Sequence, residues 1–209
     1  MPRETDRQRL ERMLDYERPL WAQGLHVAGI DEVGRGPLAG PVVAACVIVP
    51  EDSLVPGVND SKKVAEKKRE RLFEQLTAVA SYARTGWRWP RDIDRVNILN
   101  ATKSAMEEAA ADAAGAHFLV DAVTGLRLPG ETTAIIHGDA LSYMIAAASI
   151  VAKVMRDRYM IELDAQYPEY GFARNKGYGT AEHIAALKKY GPCPEHRRSF
   201  IRGILDGDA

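Results

Sequence analysis

The chain has few cysteines and no excess of either charge. Its 209 residues hold two cysteines, Cys46 and Cys193, and 28 Lys+Arg against 29 Asp+Glu. Two isolated cysteines make neither a disulfide framework nor a zinc site, and Cys46, inside an apolar run, reads as a small buried hydrophobe. A net charge of −1 lends no support to a nucleic-acid partner, so any such partner has to be argued from local charge. No stretch approaches 18 consecutive apolar residues, and no apolar segment follows Met1-Pro2-Arg3-Glu4-Thr5-Asp6. The expectation is a reduced, cytoplasmic protein without a membrane span. Internal repeats and low-complexity segments are also lacking. What is present is a hydrophobic content of 46%, too high for a disordered chain. The length suits one domain with at most a small appendage.

Periodicity places a helix over the first 22 residues, with Leu10, Met13, Leu14 and Trp21 on its apolar face and Gly24 ending it. An extended run starts at His26 and reaches Asp31. Residues 34–40 read as a turn, and 41–49 as a buried β-branched strand, so the two strands should be antiparallel neighbours. Helical periodicity follows over 61–80, then a strand over 82–89 before Pro90. A long helix is expected over 92–115, with Asp94 at its start, then strands at 117–121 and 133–137 and a helix over 141–166. A Gly-rich loop at 171–180 leads to helices at 180–190 and 195–205. This order implies an α/β fold with a mixed five-stranded sheet flanked by helices and a C-terminal helical appendage. The expected division is an N-terminal helix (1–24), a core (25–165) and a helical region (166–209) packed on that core.

Acids at strand ends are the most informative feature. Asp31 and Glu32 follow Val27–Ile30, Asp121 follows His117–Val120, and Asp139 lies just past Ile135 and Ile136. Strand-end carboxylates in one sheet converge on one edge, where α/β folds place their sites. Left uncompensated, each close pair would repel by about 4 kcal/mol at an effective dielectric near 20. A divalent cation removes that penalty, and oxygen ligands suit Mg²⁺ or Mn²⁺. Each acid is equally well a turn former, and Asp139 could simply cap the helix near Leu141.

Gly34-Arg35-Gly36 with Ala39 mimics a dinucleotide-binding fingerprint, but a strand follows where that motif needs a helix. A loop of this kind can still bring backbone N–H groups close to a ligand. Two segments are locally basic. Residues 61–71 hold six basic and two acidic side chains. Residues 171–202 hold seven basic (Arg174, Lys176, Lys188, Lys189, Arg197, Arg198, Arg202) against Glu182 and Glu195. They read either as phosphate-facing surface or as solvated helix faces. Tyr178, between two glycines, could stack on a base or sugar, or close over the core.

Together these segments resemble a known family. Gly29-Ile30-Asp31-Glu32-Val33-Gly34-Arg35-Gly36-Pro37-Leu38-Ala39-Gly40-Pro41 is similar to the opening motif of type 2 ribonuclease H, the bacterial ribonuclease HII family. Asn59-Asp60-Ser61-Lys62-Lys63, Ala147-Ala148-Ser149-Ile150-Val151-Ala152-Lys153 with Arg156-Asp157-Arg158, Asn175-Lys176-Gly177-Tyr178-Gly179-Thr180 and His196-Arg197-Arg198-Ser199-Phe200 resemble its later motifs, in order, over about residues 26–203.

The resemblance implies an RNase H-like sheet and an endoribonuclease acting on RNA–DNA hybrids and on DNA duplexes with embedded ribonucleotides. It implies that Asp31, Glu32, Asp121 and Asp139 bind two Mg²⁺ or Mn²⁺ ions for a hydrolysis leaving 5′-phosphate and 3′-hydroxyl ends. Substrate binding would fall to Gly34, Arg35 and Gly36 at the 2′-hydroxyl and to Tyr178 at the adjacent deoxyribose. Asn59, Ser61, Lys62, Ser149 and Lys153 would complete the substrate site. Asp157 reads as an ion-pair partner within its helix and not as a metal ligand. A monomer is expected. Two departures stand out: Ala122 where the family usually has Gly, and His137 where it often has Lys. A two-metal DNA nuclease and a non-catalytic duplex binder are the competing readings.

Overall fold

The protein is described by a computed structural model covering residues 4–205. Residues 1–3 and 206–209, the outer ends of the expected N-terminal helix and C-terminal region, lie outside the described residues.

Five strands form one mixed sheet: β1 (His26–Val33), β2 (Val42–Ile48), β3 (Tyr82–Arg88), β4 (Ala116–Asp121) and β5 (Thr132–Ile135). Their order is β3-β2-β1-β4-β5. The expected antiparallel hairpin of β1 and β2 is there, and β3 extends it. On its other side β1 runs parallel to β4, and β4 to β5. The central strand is therefore where the sheet changes character.

Alternation along β1 divides the core. Val27 packs on one face with Ala45, Val47 and Leu119, under α7 (Tyr143–Gln166) and α3 (Glu66–Val79). Ala28 and Ile30 pack on the other with Cys46, Phe118 and Val120, under α5 (Ile98–Ala110). Each fully buried Val, Leu, Ile or Phe contributes roughly 1.5–3 kcal/mol. The backbone of α7 crosses directly over Gly29, where an added Cβ would lie 2.0 Å from the Met144 carbonyl carbon. That contact seats α7 against the strand that carries the first two acids. Burial pushes the Cys46 thiol up to about 12, in keeping with an inert core residue.

The sequence reading needs correction at several boundaries. The first helix is two helices, α1 (Asp6–Met13) and α2 (Glu17–Trp21). Pro19 has no N–H to continue a helix from upstream, whereas a restart at Glu17 places it in a first turn where none is needed. The long helix expected over 92–115 is α4 (Pro90–Val96) and α5, broken at Asn97, which is left-handed (φ +67°) and caps α5 with its side chain. Asp94 starts neither: its carboxylate accepts from the amides of Arg198 and Ser199 at 2.8 and 2.9 Å and caps α10 (Arg198–Leu205) from outside. The segment from 61 opens with a 3₁₀ turn (Ser61–Lys63) before α3. The fifth strand stops at Ile135, because His137 turns left-handed (φ +59°) into α6 (Gly138–Leu141). The C-terminal part contains α8 (Phe172–Asn175) and α9 (Ala181–Tyr190) before α10. No helix among the described residues is long and apolar enough to cross a membrane.

Candidate active site

The parallel register pairs Ile30 with Val120, so the next residues, Asp31 and Asp121, sit side by side at the C-terminal ends of adjacent strands. Such neighbours are about 4.8 Å apart along the sheet. Glu32 follows directly. Asp139 comes from the first turn of α6, which the Asp121 carboxylate holds by accepting from the Gly138 amide at 2.7 Å. Three separate stretches of chain therefore bring four acids to one end of the sheet.

Their electrostatics are those of a crowded, half-dry cluster. Burial raises the Asp31 carboxyl well above its usual range, and the charges of Glu32 and Asp121 raise it further. Glu32 is raised by burial and by Asp121, against the opposing pull of Arg35. Asp121 is raised by burial and by Asp139, although the Gly138 amide opposes this. Lys62 supplies a nearby cation, with Nζ 3.4 Å from Asp139 Oδ2. Burial alone would lower the Lys62 ammonium, but Asp139, Asp60 and Asp31 hold it above its usual value.

This donor set fits a hard divalent ion. All the candidate donor atoms are carboxylate oxygens, and Glu32 Oε2 is buried with no hydrogen-bond partner. Among the described residues no three acids, histidines or cysteines are already drawn together closely enough to hold a metal ion, so the four carboxylates would have to close on one.

The other expected site residues fall into two groups. Gly36 lies beside the half-exposed Tyr178 ring, since a Cβ on Gly36 would meet Tyr178 Cε1 at 3.8 Å. Arg35 is exposed and reaches back to Glu32 Oε1 at 3.4 Å. Lys62 is exposed, and Asn59 lines the loop before it, its side chain accepting from the Asp60 amide. Ser61 and Ser149 are instead buried, with their hydroxyls 2.8 Å apart, and the Ser149 hydroxyl lies near enough to the Asp31 carboxylate to offset part of the effect of its burial. The Lys153 ammonium is held at 2.6 Å by Asp157, which also faces Arg69 at 3.4 Å. These three side chains brace the site from behind, and Asp157 is the ion-pair partner its spacing suggested.

Local basicity is weaker than the residue count implied. Arg174 is bound by Glu182, Lys63 lies near Asp60 and Lys68 near Asp6. Arg69 and Arg197 are buried and donate to backbone carbonyls. No charge pattern marks such residues in a sequence, because a buried arginine and a solvated one read alike.

A histidine pair went equally unrecognised. His183 Nδ1 faces the Tyr178 carbonyl at 2.8 Å and so must carry the proton. Its Nε2 then accepts from His196 Nε2 at 3.0 Å, and His196 Nδ1 accepts from the Cys193 amide at 3.0 Å. Two neutral rings thus anchor the backbone of the tyrosine loop.

Known proteins are similar to this chain over most of its length. The family described as Ribonuclease HII matches residues 28–203. Ribonuclease HII of Caldanaerobacter subterraneus subsp. tengcongensis is 51% identical over 207 residues, covering 98% of this chain and 86% of the relative. That of Geobacillus thermodenitrificans is 54% identical over 198 residues, covering 93% and 76%. Among solved structures, the ribonuclease H2 of Pyrococcus horikoshii OT3 superposes with a TM-score of 0.73 at 28% identity, covering 88% of this chain and 98% of that one.

Proposed function

Because the chain belongs to the ribonuclease HII family, the type 2 ribonucleases H, we propose that it hydrolyses the RNA strand of RNA–DNA hybrids and incises DNA duplexes at embedded ribonucleotides. The observation that carries this reading is the position of Asp31 and Asp121, each one residue past the paired Ile30 and Val120 on adjacent parallel strands, with the buried Glu32 oxygen near them lacking any partner. Asp31, Glu32, Asp121 and Asp139 would hold two divalent ions, Mg²⁺ or Mn²⁺. Bound there, such ions supply an activated water, charge neutralisation on the phosphate and stabilisation of the departing 3′-oxygen.

The chain's own residues do the rest. Ser149 orients the Asp31 carboxylate, and Asp121 fixes the turn that carries Asp139. Lys62 and Asn59 face the phosphates. The amides of the Gly34–Gly36 loop meet the 2′-hydroxyl, and Tyr178 packs on the neighbouring sugar. On an all-DNA strand a donor aimed at the 2′-oxygen loses its acceptor, at about 1–3 kcal/mol per unsatisfied group.

The test is incubation with Mg²⁺ of four duplexes: DNA with one ribonucleotide, an RNA–DNA hybrid, all-DNA and all-RNA. Incision of the first two, abolished by chelator and absent on all-DNA, is the expected result. No incision by folded protein, or equal cutting of all-DNA, defeats the reading.

A further inference from the structure

Two guanidinium groups grip the loop from Gly34 to Pro41, and both are fully buried. Arg197 donates from Nη2 to the Gly34 carbonyl at 2.6 Å, from Nη1 to that of Arg35 at 3.0 Å and from Nε to that of Gly40 at 3.0 Å. Arg156, on α7, donates from Nε to Pro41 at 2.9 Å, from Nη2 to Ala39 at 3.2 Å and from Nη1 to Lys176 at 2.9 Å. A buried arginine ordinarily answers a carboxylate; here backbone carbonyls do that work. Burial lowers the two groups to about 9 and about 10, so both stay charged at neutral pH.

The choice of carbonyls matters. In a trans peptide the C=O and the next residue's N–H point in opposite directions. The Gly34 and Arg35 carbonyls belong to the peptide units that carry the Arg35 and Gly36 amides. With both carbonyls bound inward by Arg197, both N–H groups are turned outward. Among the described residues these two amides donate to no protein acceptor. A flip of either peptide would replace a donor by an acceptor at nearly the same place, and Arg197 opposes both flips.

The same grip ties this loop to Tyr178. Leu38 donates to the Gly177 carbonyl at 2.8 Å, Arg197 itself donates from its amide to the Leu38 carbonyl at 2.9 Å, and Arg156 bonds Lys176 on the far side. Glycine is required at 34, where the backbone is left-handed (φ +91°) and a Cβ would lie 2.3 Å from Arg156 Nε.

We propose that Arg197, seconded by Arg156, is a positioning residue that sets the preference for a ribonucleotide over a deoxyribonucleotide, by holding the Arg35 and Gly36 amides outward at a fixed distance from the Tyr178 ring. This rests on the reading of the Gly34–Gly36 loop as the element that meets the 2′-hydroxyl.

The experiment compares wild type, Arg197→Lys and Arg156→Lys. Affinity is measured in chelator for two duplexes of one sequence, all-DNA and DNA with a single ribonucleotide, alongside Mg²⁺-dependent incision by wild type. Lysine keeps the charge but cannot hold two carbonyls in a fork. Arg197→Lys is expected to lose about tenfold in ribonucleotide preference, the scale of one or two hydrogen bonds, with all-DNA affinity within about twofold of wild type. Arg156→Lys, at a residue that hydrogen-bonds to neither outward amide's peptide unit, should lose less. A folded Arg197→Lys protein with wild-type preference overturns the proposal, provided wild type incises at the ribonucleotide. Failure of wild type to incise instead overturns the functional reading beneath it. Hydrogen exchange on wild type gives a test that needs no variant: the Arg35 and Gly36 amides should be protected by the ribonucleotide duplex and not by all-DNA. Equal protection by both overturns the proposal.

Discussion

The Asp121 carboxylate accepts the Gly138 amide at 2.7 Å, so the third acid holds in place the turn that presents the fourth. An asparagine at 121 keeps an oxygen for that amide and loses only the charge. Asp121→Asn should therefore fold with a near-wild-type melting temperature and bind duplex, while kcat falls by at least about a hundred- to a thousandfold. Steady-state rates with calorimetric melting check this. A rate close to wild type would remove Asp121 from the site.

Asp157 should show the opposite signature. It is buried between Lys153 and Arg69, at 2.6 and 3.4 Å. Asp157→Ala removes the carboxylate from the partly buried Lys153 and from Arg69, which keeps only its backbone carbonyls, and should cost about 3 kcal/mol of stability. Urea unfolding measures the loss. A change below about 1 kcal/mol, the worth of a surface pair, would contradict the burial argument.

Ala122 is left-handed (φ +48°), one residue past Asp121. An L-residue there carries roughly 1–2 kcal/mol of steric strain, partly offset by the greater entropy a glycine loses on folding. Ala122→Gly is expected to raise stability by up to about 1 kcal/mol, or roughly 2–4 °C in Tm for a chain of this size. A lower melting temperature would show that the strain is relieved some other way.

His196 is pushed down to about 4 by burial and by the facing His183. Protonation then favours the unfolded chain, whose imidazole titrates near 6.5. The stabilisation is complete above about pH 6.5 and is lost as pH falls through that value toward 4, on the order of 3 kcal/mol in all. Thermal melts between pH 6.5 and 5 should slope downward for wild type and less steeply for His183→Gln. Parallel slopes would place the titration elsewhere.

The sheet and its acids were legible in the sequence because both have local signatures. A short apolar run marked β1, a β-branched run marked β2, and Asp31, Glu32 and Asp121 followed apolar runs. The breaks were not: Asn97 and His137 turn left-handed inside segments whose composition is otherwise helical or extended. The loops proposed to face substrate were named through family resemblance, but the braces behind them were hidden. Ser61 and Ser149 are 88 residues apart in sequence, and whether a hydroxyl or a guanidinium points outward is settled by packing alone.

Arg197 grips carbonyls that precede it by 157 to 163 residues. During synthesis the glycine loop leaves the ribosome long before its clasp exists. A half-made chain can possess the first two acids and that loop, but its peptide planes are still free to turn. If Arg197 sets the preference between the two sugars as proposed, that preference is acquired late in the life of each nascent molecule, after all five strands have been made.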